Sequence, residues 1–258
     1  MRRLWTHLRL LAERRALQRR AIPDALWQLT LARYPFLARR SQADLAELRR
    51  LSSLFLDRKE FSGAHGLRVS DDMAVAIAAQ ACLPVLRLGL RAYDGFVGIV
   101  VHRDEVQVRR EFVDDDGIVH EYDDVLAGEA MEGGPMMLSW RDVSEAGESA
   151  DWGYNVVVHE FAHVIDMGDG VADGVPPLPT AAERSHWQSL LMREYERFCA
   201  RVDADEHTVL DPYGAESPEE FFAVACEAFF VAPQDMRDEH PALYGMLAGY
   251  FKQDPAAH

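Results

Sequence analysis

The residues with the clearest chemical capacity are two histidines and a glutamate in the run His159-Glu160-Phe161-Ala162-His163. Four residues of α-helix rotate the chain by about 400°, so both imidazoles lie on one face and can bind one metal ion. Zinc prefers such nitrogen ligands in a tetrahedral arrangement. Glu160 lies about 100° around the helix axis from His159, where it can reach a metal-bound water without binding the metal. The spacing therefore predicts a zinc site with Glu160 as general base.

The residues that flank this motif predict a buried helix. Residues 156–158 are all valine, and residues 164–165 are valine and isoleucine. Burying two histidines and a glutamate without a partner costs on the order of several kcal/mol, and a bound cation supplies that partner. The alternative is a pair of core histidines that hydrogen-bond to the backbone or to a carboxylate.

A catalytic zinc also needs a third protein ligand and a position open to water. A third histidine six residues after His163 is absent, because residues 166 and 169 are both aspartate, and the metzincin pattern is therefore disfavoured. The best candidate is Glu220, which lies three residues after Ser217 at the start of an apolar helix. The same pair also fits a capping box, which requires no metal.

Three other residues are candidates for supporting roles. Asp166 shares the histidine face, and we expect it to accept the N–H of a liganding imidazole; the alternatives are direct ligation and an exposed carboxylate. Glu227 lies seven residues after Glu220 and is expected to orient a zinc ligand, although Glu219 and Glu227 are also alternatives to Glu220 as the ligand. Tyr213 can donate to a developing oxyanion, but a tyrosine in a turn commonly serves packing.

The pattern along the chain predicts an α+β protein that is mostly helical. Ser41 caps a helix whose apolar stripe begins at Leu45. Other helices are predicted at residues 71–90, with an interruption at Pro84, and at 152–167, 181–201 and 218–232. Strands are predicted at 97–101 and 136–140, and residues 106–108 and 112–113 predict one or two further short strands before an acidic turn at 114–117. We expect one domain, residues 21–258, preceded by a basic segment, residues 1–20.

The charge distribution, the cysteine count and the lengths of the apolar runs exclude several classes of protein. The 258 residues carry a net charge of -16, but residues 1–50 hold twelve arginines and four acidic residues. The remaining acidic body argues against direct nucleic-acid binding, since phosphates require a cationic surface. The three cysteines are too few for a disulfide framework, and reduced thiols in a cytoplasmic protein are expected. No apolar run is long enough to span a bilayer.

The basic segment, residues 1–20, has leucines at helical spacing with arginines between them. Its apolar positions are interrupted by charges, so it does not form a secretory signal. Such a helix can contact an anionic membrane surface or a partner protein. The alternative is a solvated helix, or a frayed end that docks on the acidic body.

Beyond the motif, the chain resembles the Mlc titration factor A family of bacterial zinc peptidases. The resemblance extends over roughly residues 25–255, and its most specific segments are residues 83–86, 94–96, 134–140, 155–166, 174–176, 213–230 and 253–255. That family is similar to the catalytic domain of anthrax lethal factor around the metal. The resemblance implies a zincin-like core of the gluzincin type, in which a small mixed β-sheet packs on the helix of the histidine motif.

The resemblance also implies roles for individual residues. His159, His163 and Glu220 would bind one zinc ion per chain, Glu160 would be the catalytic base, and Tyr213 would stabilise the transition state. It further implies a cytoplasmic peptidase with aminopeptidase-type cleavage of small peptides. A glucose-responsive transcriptional repressor, Mlc, is implied as a partner, with a role in transcription regulation. The arginine-rich residues 1–20 depart from the family pattern, which does not require them.

Two functional hypotheses follow. In the first, the protein hydrolyses peptide bonds, and residues 136–140 form the sheet edge along which an extended peptide pairs its backbone. In the second, it is a zinc-stabilised regulatory protein that binds a repressor and needs no hydrolysis. Both hypotheses require bound metal, and they differ in the importance of Glu160.

Overall fold

The computed structural model describes residues 2–113, 119–126, 128–130 and 134–257; the acidic turn predicted at 114–117 lies outside them. The described residues contain eleven α-helices. These are α1 (Arg2–Arg19), α2 (Asp24–Arg33), α3 (Pro35–Ala38), α4 (Gln42–Arg58), α5 (Asp71–Cys82), α6 (Trp140–Ser149), α7 (Val156–Asp166), α8 (Ala181–Asp203), α9 (Pro218–Val231), α10 (Pro233–Glu239) and α11 (Pro241–Phe251). The prediction of a mostly helical α+β protein is confirmed.

The strands form two separate sheets among the described residues. They are β1 (Glu60–Gly63), β2 (Gly98–His102), β3 (Val106–Val113), β4 (Val119–Leu126), β5 (Gly128–Ala130) and β6 (Met136–Ser139). The larger sheet has the order β1-β2-β6-β5, with parallel pairs except for the antiparallel β5-β6 pair. Strands β3 and β4 form an antiparallel ribbon, and of the two possibilities predicted for residues 106–108 and 112–113 the structure has a single strand, β3. The expected small mixed sheet is therefore present.

The edge of the larger sheet differs from the prediction. Strand β6 pairs with β2 on one side and with β5 on the other, so the prediction that residues 136–140 form the edge is wrong. The edge strand next to β6 is β5, which contacts α7, and β1 forms the opposite edge. Its sequence, Gly-Glu-Ala, lacks the β-branched and aromatic residues that identify a strand, which explains why it was missed.

Helix α7 carries the histidine motif and is shorter than the predicted helix at 152–167. Asn155 caps it, because its Oδ1 accepts a hydrogen bond of 2.9 Å from the Val158 N–H. Gly153, with φ of 78°, has a left-handed conformation that ends the preceding 3₁₀ turn, Ala150–Trp152. The helix therefore begins only at Val156, and it packs against α9 and the sheet.

Helix α9 carries the predicted third ligand. Ser217 Oγ accepts a hydrogen bond of 3.3 Å from the backbone N–H of Glu220, and Pro218 occupies the first turn. The cap thus uses the main chain of Glu220 and leaves its carboxylate available. Residues 221–231 are all buried, so α9 lies within the core beside α7.

The predicted helix at 71–90 ends earlier in the structure. Helix α5 ends at Cys82, and the following residues form turns. Pro84 lacks a backbone N–H and restricts the residue before it, so a helix cannot continue undisturbed through this point. The interruption predicted at Pro84 is therefore a termination.

The basic segment belongs to α1, which packs on α4. Arg19 forms an ion pair of 2.6 Å with Asp57, and Glu13 pairs with Arg50. These contacts connect α1 to the rest of the described chain, while the division into residues 1–20 and 21–258 stays a prediction. In the part of the chain that the structure describes, no helix is long and apolar enough to cross a bilayer. The three cysteines are free thiols.

At Gly174 the loop after α7 passes close to the start of α9. It has φ of 75°, and a Cβ there would lie 2.6 Å from the carbonyl oxygen of Pro218. We expect Gly174→Ala to lower the free energy of unfolding by about 3 kcal/mol, because it adds a steric overlap to the left-handed strain. Urea denaturation measures the change.

Gly170 is the matched control, because it has φ of 92° and a Cβ there would meet no atom within 4 Å. Gly170→Ala should therefore cost only the conformational strain, about 1 kcal/mol. Equal losses in the two variants would show that the close approach to Pro218 does not contribute.

Candidate metal centre

Two helices bring three donor atoms together. The Nε2 atoms of His159 and His163, both on α7, are 3.1 Å apart. Oε2 of Glu220, from α9, lies 3.0 Å from the first and 3.3 Å from the second. The three residues form the group that could hold a metal ion, with one ligand atom from each. Glu219, a predicted alternative, is not a member of this group.

The chemistry of this donor set fits a divalent cation. Two imidazole nitrogens and a carboxylate oxygen are ligands that zinc accepts, and their near-equilateral spacing suits one small ion. Oε2 of Glu220 is buried and receives no well-aligned hydrogen bond from the described residues. Lone pairs that converge in this way repel one another unless a proton or a cation lies between them.

Glu227 determines which nitrogen of His159 faces the other donors. Its Oε1 lies 2.8 Å from His159 Nδ1, and its Oε2 accepts a hydrogen bond from the Asn155 N–H. With the proton on Nδ1, the lone pair of His159 is on Nε2, which points at the donor group. The contact has the geometry that the predicted orienting role requires, and Glu227 is on the Nδ1 side of the ring rather than among the converging donors.

A buried polar network supports Glu227. Asn155 Nδ2 donates to Gln80 Oε1 at 2.8 Å, and Gln80 Nε2 donates to the Ala76 carbonyl at 3.3 Å. Gln80 and Asn155 are fully buried, and Glu227 is 1% exposed. Sequence analysis did not identify Gln80, although an amide in the otherwise apolar middle of α5 was a signal.

Burial and neighbouring charges act in opposite directions on the ionisable groups. Burial disfavours the imidazolium of His159, but Glu227 and Glu220 outweigh it and raise the pKa of His159. Burial also disfavours the charged form of Glu220, yet the two histidine rings hold its pKa well below the usual range. A proton and a metal ion therefore compete for the same cluster of donors.

Glu160 is buried beside the donor group and against the edge strand. Burial raises the pKa of its carboxyl group, and this effect exceeds the opposing effect of the two histidines. A Cβ on Gly128, in β5, would lie only 2.5 Å from Glu160 Oε1. Gly128 was not identified from the sequence, and only the tertiary contact reveals it.

Tyr213 lies near the histidines on a 3₁₀ turn, Pro212–Ala215. The Tyr213 N–H donates to Asp211 Oδ1 at 2.9 Å, which fixes the turn. The ring centroids of Tyr213 and His159 are 6.0 Å apart, and Tyr213 is 43% exposed. The tyrosine is thus partly exposed to solvent and lies next to a histidine of the donor group.

Asp166 has a different partner from the one expected. It is fully buried, and its Oδ2 accepts a hydrogen bond of 2.8 Å from the Gly174 N–H. Burial raises the pKa of Asp166 to about 6, against the opposing effect of this hydrogen bond. Asp166 therefore contacts the loop after α7, and it is neither exposed nor in the donor group.

The fold and the site together define a class. A buried helix with the histidine motif, a glutamate from a later helix and a small mixed sheet are the features of the α+β zincin-like metallopeptidases. A family model described as glucose-regulated metallo-peptidase M90 matches residues 8–252. The chain therefore belongs to this family.

Similar proteins agree with this assignment. The chain is 34% identical to Mlc titration factor A of Serratia proteamaculans over 236 residues, which are 90% of this chain and 88% of that protein. It is 35% identical to Mlc titration factor A of Edwardsiella ictaluri, over 86% of this chain and 85% of that protein. An uncharacterized protein of Synechocystis is 38% identical over 89% of this chain and 84% of its own length. The family resemblance predicted from the sequence is confirmed.

The contacts of Glu227 and Asp166 predict different effects on metal affinity. Glu227→Gln should weaken zinc binding by about 10- to 100-fold, because a neutral amide supports the His159 ligand less well than a carboxylate. Asp166→Asn should leave zinc affinity within about threefold, because Asn can still accept from Gly174 and His159 keeps its contact with Glu227. Competition against a chromophoric chelator measures both affinities. A loss in Asp166→Asn as large as that in Glu227→Gln would contradict the division of roles.

Proposed function

We propose that the protein is a zinc peptidase that hydrolyses peptide bonds. The observation that carries the proposal is the convergence of His159, His163 and Glu220 beside the buried carboxylate of Glu160. In this proposal the first three residues bind one zinc ion, and Glu160 is the general base. Family membership supports the class of reaction.

The bound ion would polarise the scissile carbonyl and lower the pKa of a water molecule toward neutrality. Glu160 would accept the proton of that water and later deliver it to the leaving amine. Its raised pKa, which burial causes, brings the carboxyl group nearer to the pH at which it can both take and give a proton. Tyr213 would donate a hydrogen bond to the oxyanion from the exposed side of the site.

The edge strand offers a way to hold the substrate. Among the described residues, β5 pairs only with β6, and it contacts α7. An extended peptide can add to such an edge through main-chain hydrogen bonds, which orient its scissile bond without requiring one side-chain sequence. Aminopeptidase-type cleavage of small peptides is the finer form of this proposal, and it takes its support from the family resemblance.

A second candidate function is regulatory binding of a transcriptional repressor. Its support is the name of several similar proteins, Mlc titration factor A. In this form the metal centre stabilises a binding surface, and the repressor partner would place the protein in the cytoplasm. Hydrolysis and binding can also occur in one protein, so the two candidates need separate measurements.

Glu160→Gln tests the peptidase proposal. We expect peptide hydrolysis to fall by about 10²- to 10⁴-fold, because the variant cannot accept the proton of the attacking water. Zinc content, measured by mass spectrometry, should remain at one ion per chain. Glu219→Gln is the control for a nearby charge change and should keep both properties. Full hydrolysis by zinc-loaded Glu160→Gln protein would reject Glu160 as the base.

The same variant separates the two candidate functions. If repressor binding is independent of hydrolysis, Glu160→Gln should bind purified Mlc as tightly as the unmodified protein, measured by calorimetry. Glu220→Gln, which removes a proposed ligand, should lose zinc and show whether binding needs the metal. Absence of Mlc binding by the zinc-loaded unmodified protein would reject the regulatory candidate and leave the peptidase proposal intact.

A further inference from the structure

A cavity of about 1080 Å³ lies beside the last turn of α7. Val164 and Ile165 of α7 form part of its wall, together with residues of α8 and α11. Of the described residues, those that line it include neither the two histidines of the donor group nor Glu220. The cavity is therefore distinct from the candidate metal centre, although both share α7.

The wall of the cavity is mainly apolar. It includes Leu88, Phe96, Met136, Ile165, Trp187 and Met246. Trp187 has its polar group satisfied, because Nε1 donates to the Gly174 carbonyl at 2.9 Å, so its ring presents an apolar face. A large apolar cavity with a few polar groups is the usual form of a small-molecule site.

Two cations at the cavity give it a charge preference. Arg91 and Lys252 line it, and among the described side chains no carboxylate lies within 4.0 Å of either. The carboxylates of the wall have partners: Asp94 lies 4.0 Å from Arg58, and Glu183 accepts from the Thr180 hydroxyl at 2.7 Å. The two cations and the two carboxylates of the wall balance in formal charge, but Asp94 and Glu183 already have partners. Arg91 and Lys252 are therefore the charged groups of the wall that are available to an anionic head group.

Gly249 leaves space open in the wall. It lies in α11, lines the cavity, and a Cβ built there would meet no atom within 4 Å. A larger side chain at this position can therefore extend into the cavity without displacing its neighbours. Gly245 lies one turn earlier in α11 with equally open surroundings, but it is not part of the wall.

We propose that this cavity binds a long-chain aliphatic carboxylate. The chain occupies the apolar interior, and the carboxylate lies at Arg91 and Lys252. The proposal goes beyond the peptidase function and does not depend on it, since no group of the metal centre takes part. Because Val164 and Ile165 directly follow His163, a bound ligand also contacts the helix that carries the metal motif.

Isothermal titration of the full-length protein with dodecanoate, below its micellar concentration, tests the proposal. We expect saturable binding of one molecule per chain. Gly249→Leu should weaken it by about tenfold or more, because the new side chain occupies apolar space that the ligand needs. Gly245→Leu, the matched control in the same helix, should bind as the unmodified protein does. Circular dichroism verifies that both variants are folded.

The charge preference has its own test. Arg91→Gln and Lys252→Asn should each weaken dodecanoate binding by about threefold, the size expected for an exposed ion pair. Asn suits position 252 because Lys252 has φ of 53°, a conformation that Asn tolerates. Arg68→Gln removes the same charge at a residue that does not line the cavity, and it should leave dodecanoate binding unchanged. Dodecyltrimethylammonium has the same alkyl chain and a cationic head group. Any binding that it shows should be the same in Gly249→Leu protein as in the unmodified protein.

Several results would overturn the proposal. They are the absence of saturable dodecanoate binding, equal binding by Gly249→Leu protein, and Gly249-dependent binding of the cationic amphiphile. Hydrogen exchange gives the location independently: dodecanoate should slow exchange in residues 88–96 and in the last turn of α7. Protection confined to other parts of the chain would contradict the assignment to this cavity.

Discussion

The arrangement of the candidate metal centre rests on the contacts of one buried carboxylate, that of Glu227. The carboxylate accepts hydrogen bonds from His159 Nδ1 and from the backbone N–H of Asn155. It therefore connects α9 to the N-terminal cap of α7 and to the histidine face of that helix. A carboxylate in the core is costly unless all its oxygens have partners, and here both do. The partner of Asn155, Gln80, extends the same network to α5. Polar contacts in the mainly apolar core thus fix the positions of α5, α7 and α9 relative to one another.

This arrangement concentrates negative charge around the donor atoms. Glu160, Glu220 and Glu227 all lie close to the two histidines, in surroundings that water enters poorly. Without a cation, these carboxylates favour a proton on His159, whose pKa Glu227 and Glu220 raise against the effect of burial, while burial itself raises the pKa of Glu160. A divalent ion neutralises more of this charge than one proton does, so the fold itself provides a reason for metal affinity.

The features of the site that follow from local geometry could be predicted from the sequence. The positions of His159, Glu160 and His163 on one face follow from helix geometry alone, and the cap at Ser217 follows from four adjacent residues. The convergence of Glu220 with the histidines depends on how α9 packs on α7, and only the family resemblance favoured it strongly. The partner of Asp166 is a loop N–H eight residues away, which helical spacing cannot reveal. Strand β5 was missed because its pairing partner, rather than its composition, makes it a strand.

The contact between Gly128 and Glu160 has a consequence for how the site would respond to a ligand. With no side chain between them, the carboxylate of α7 rests directly on the main chain of β5. A shift of the strand by a few tenths of an ångström would push or release that carboxylate, whatever the cause of the shift. The orientation of Glu160, the proposed general base, is therefore set partly by the strand, so binding of a peptide along β5 and alignment of this carboxylate for proton transfer would be linked.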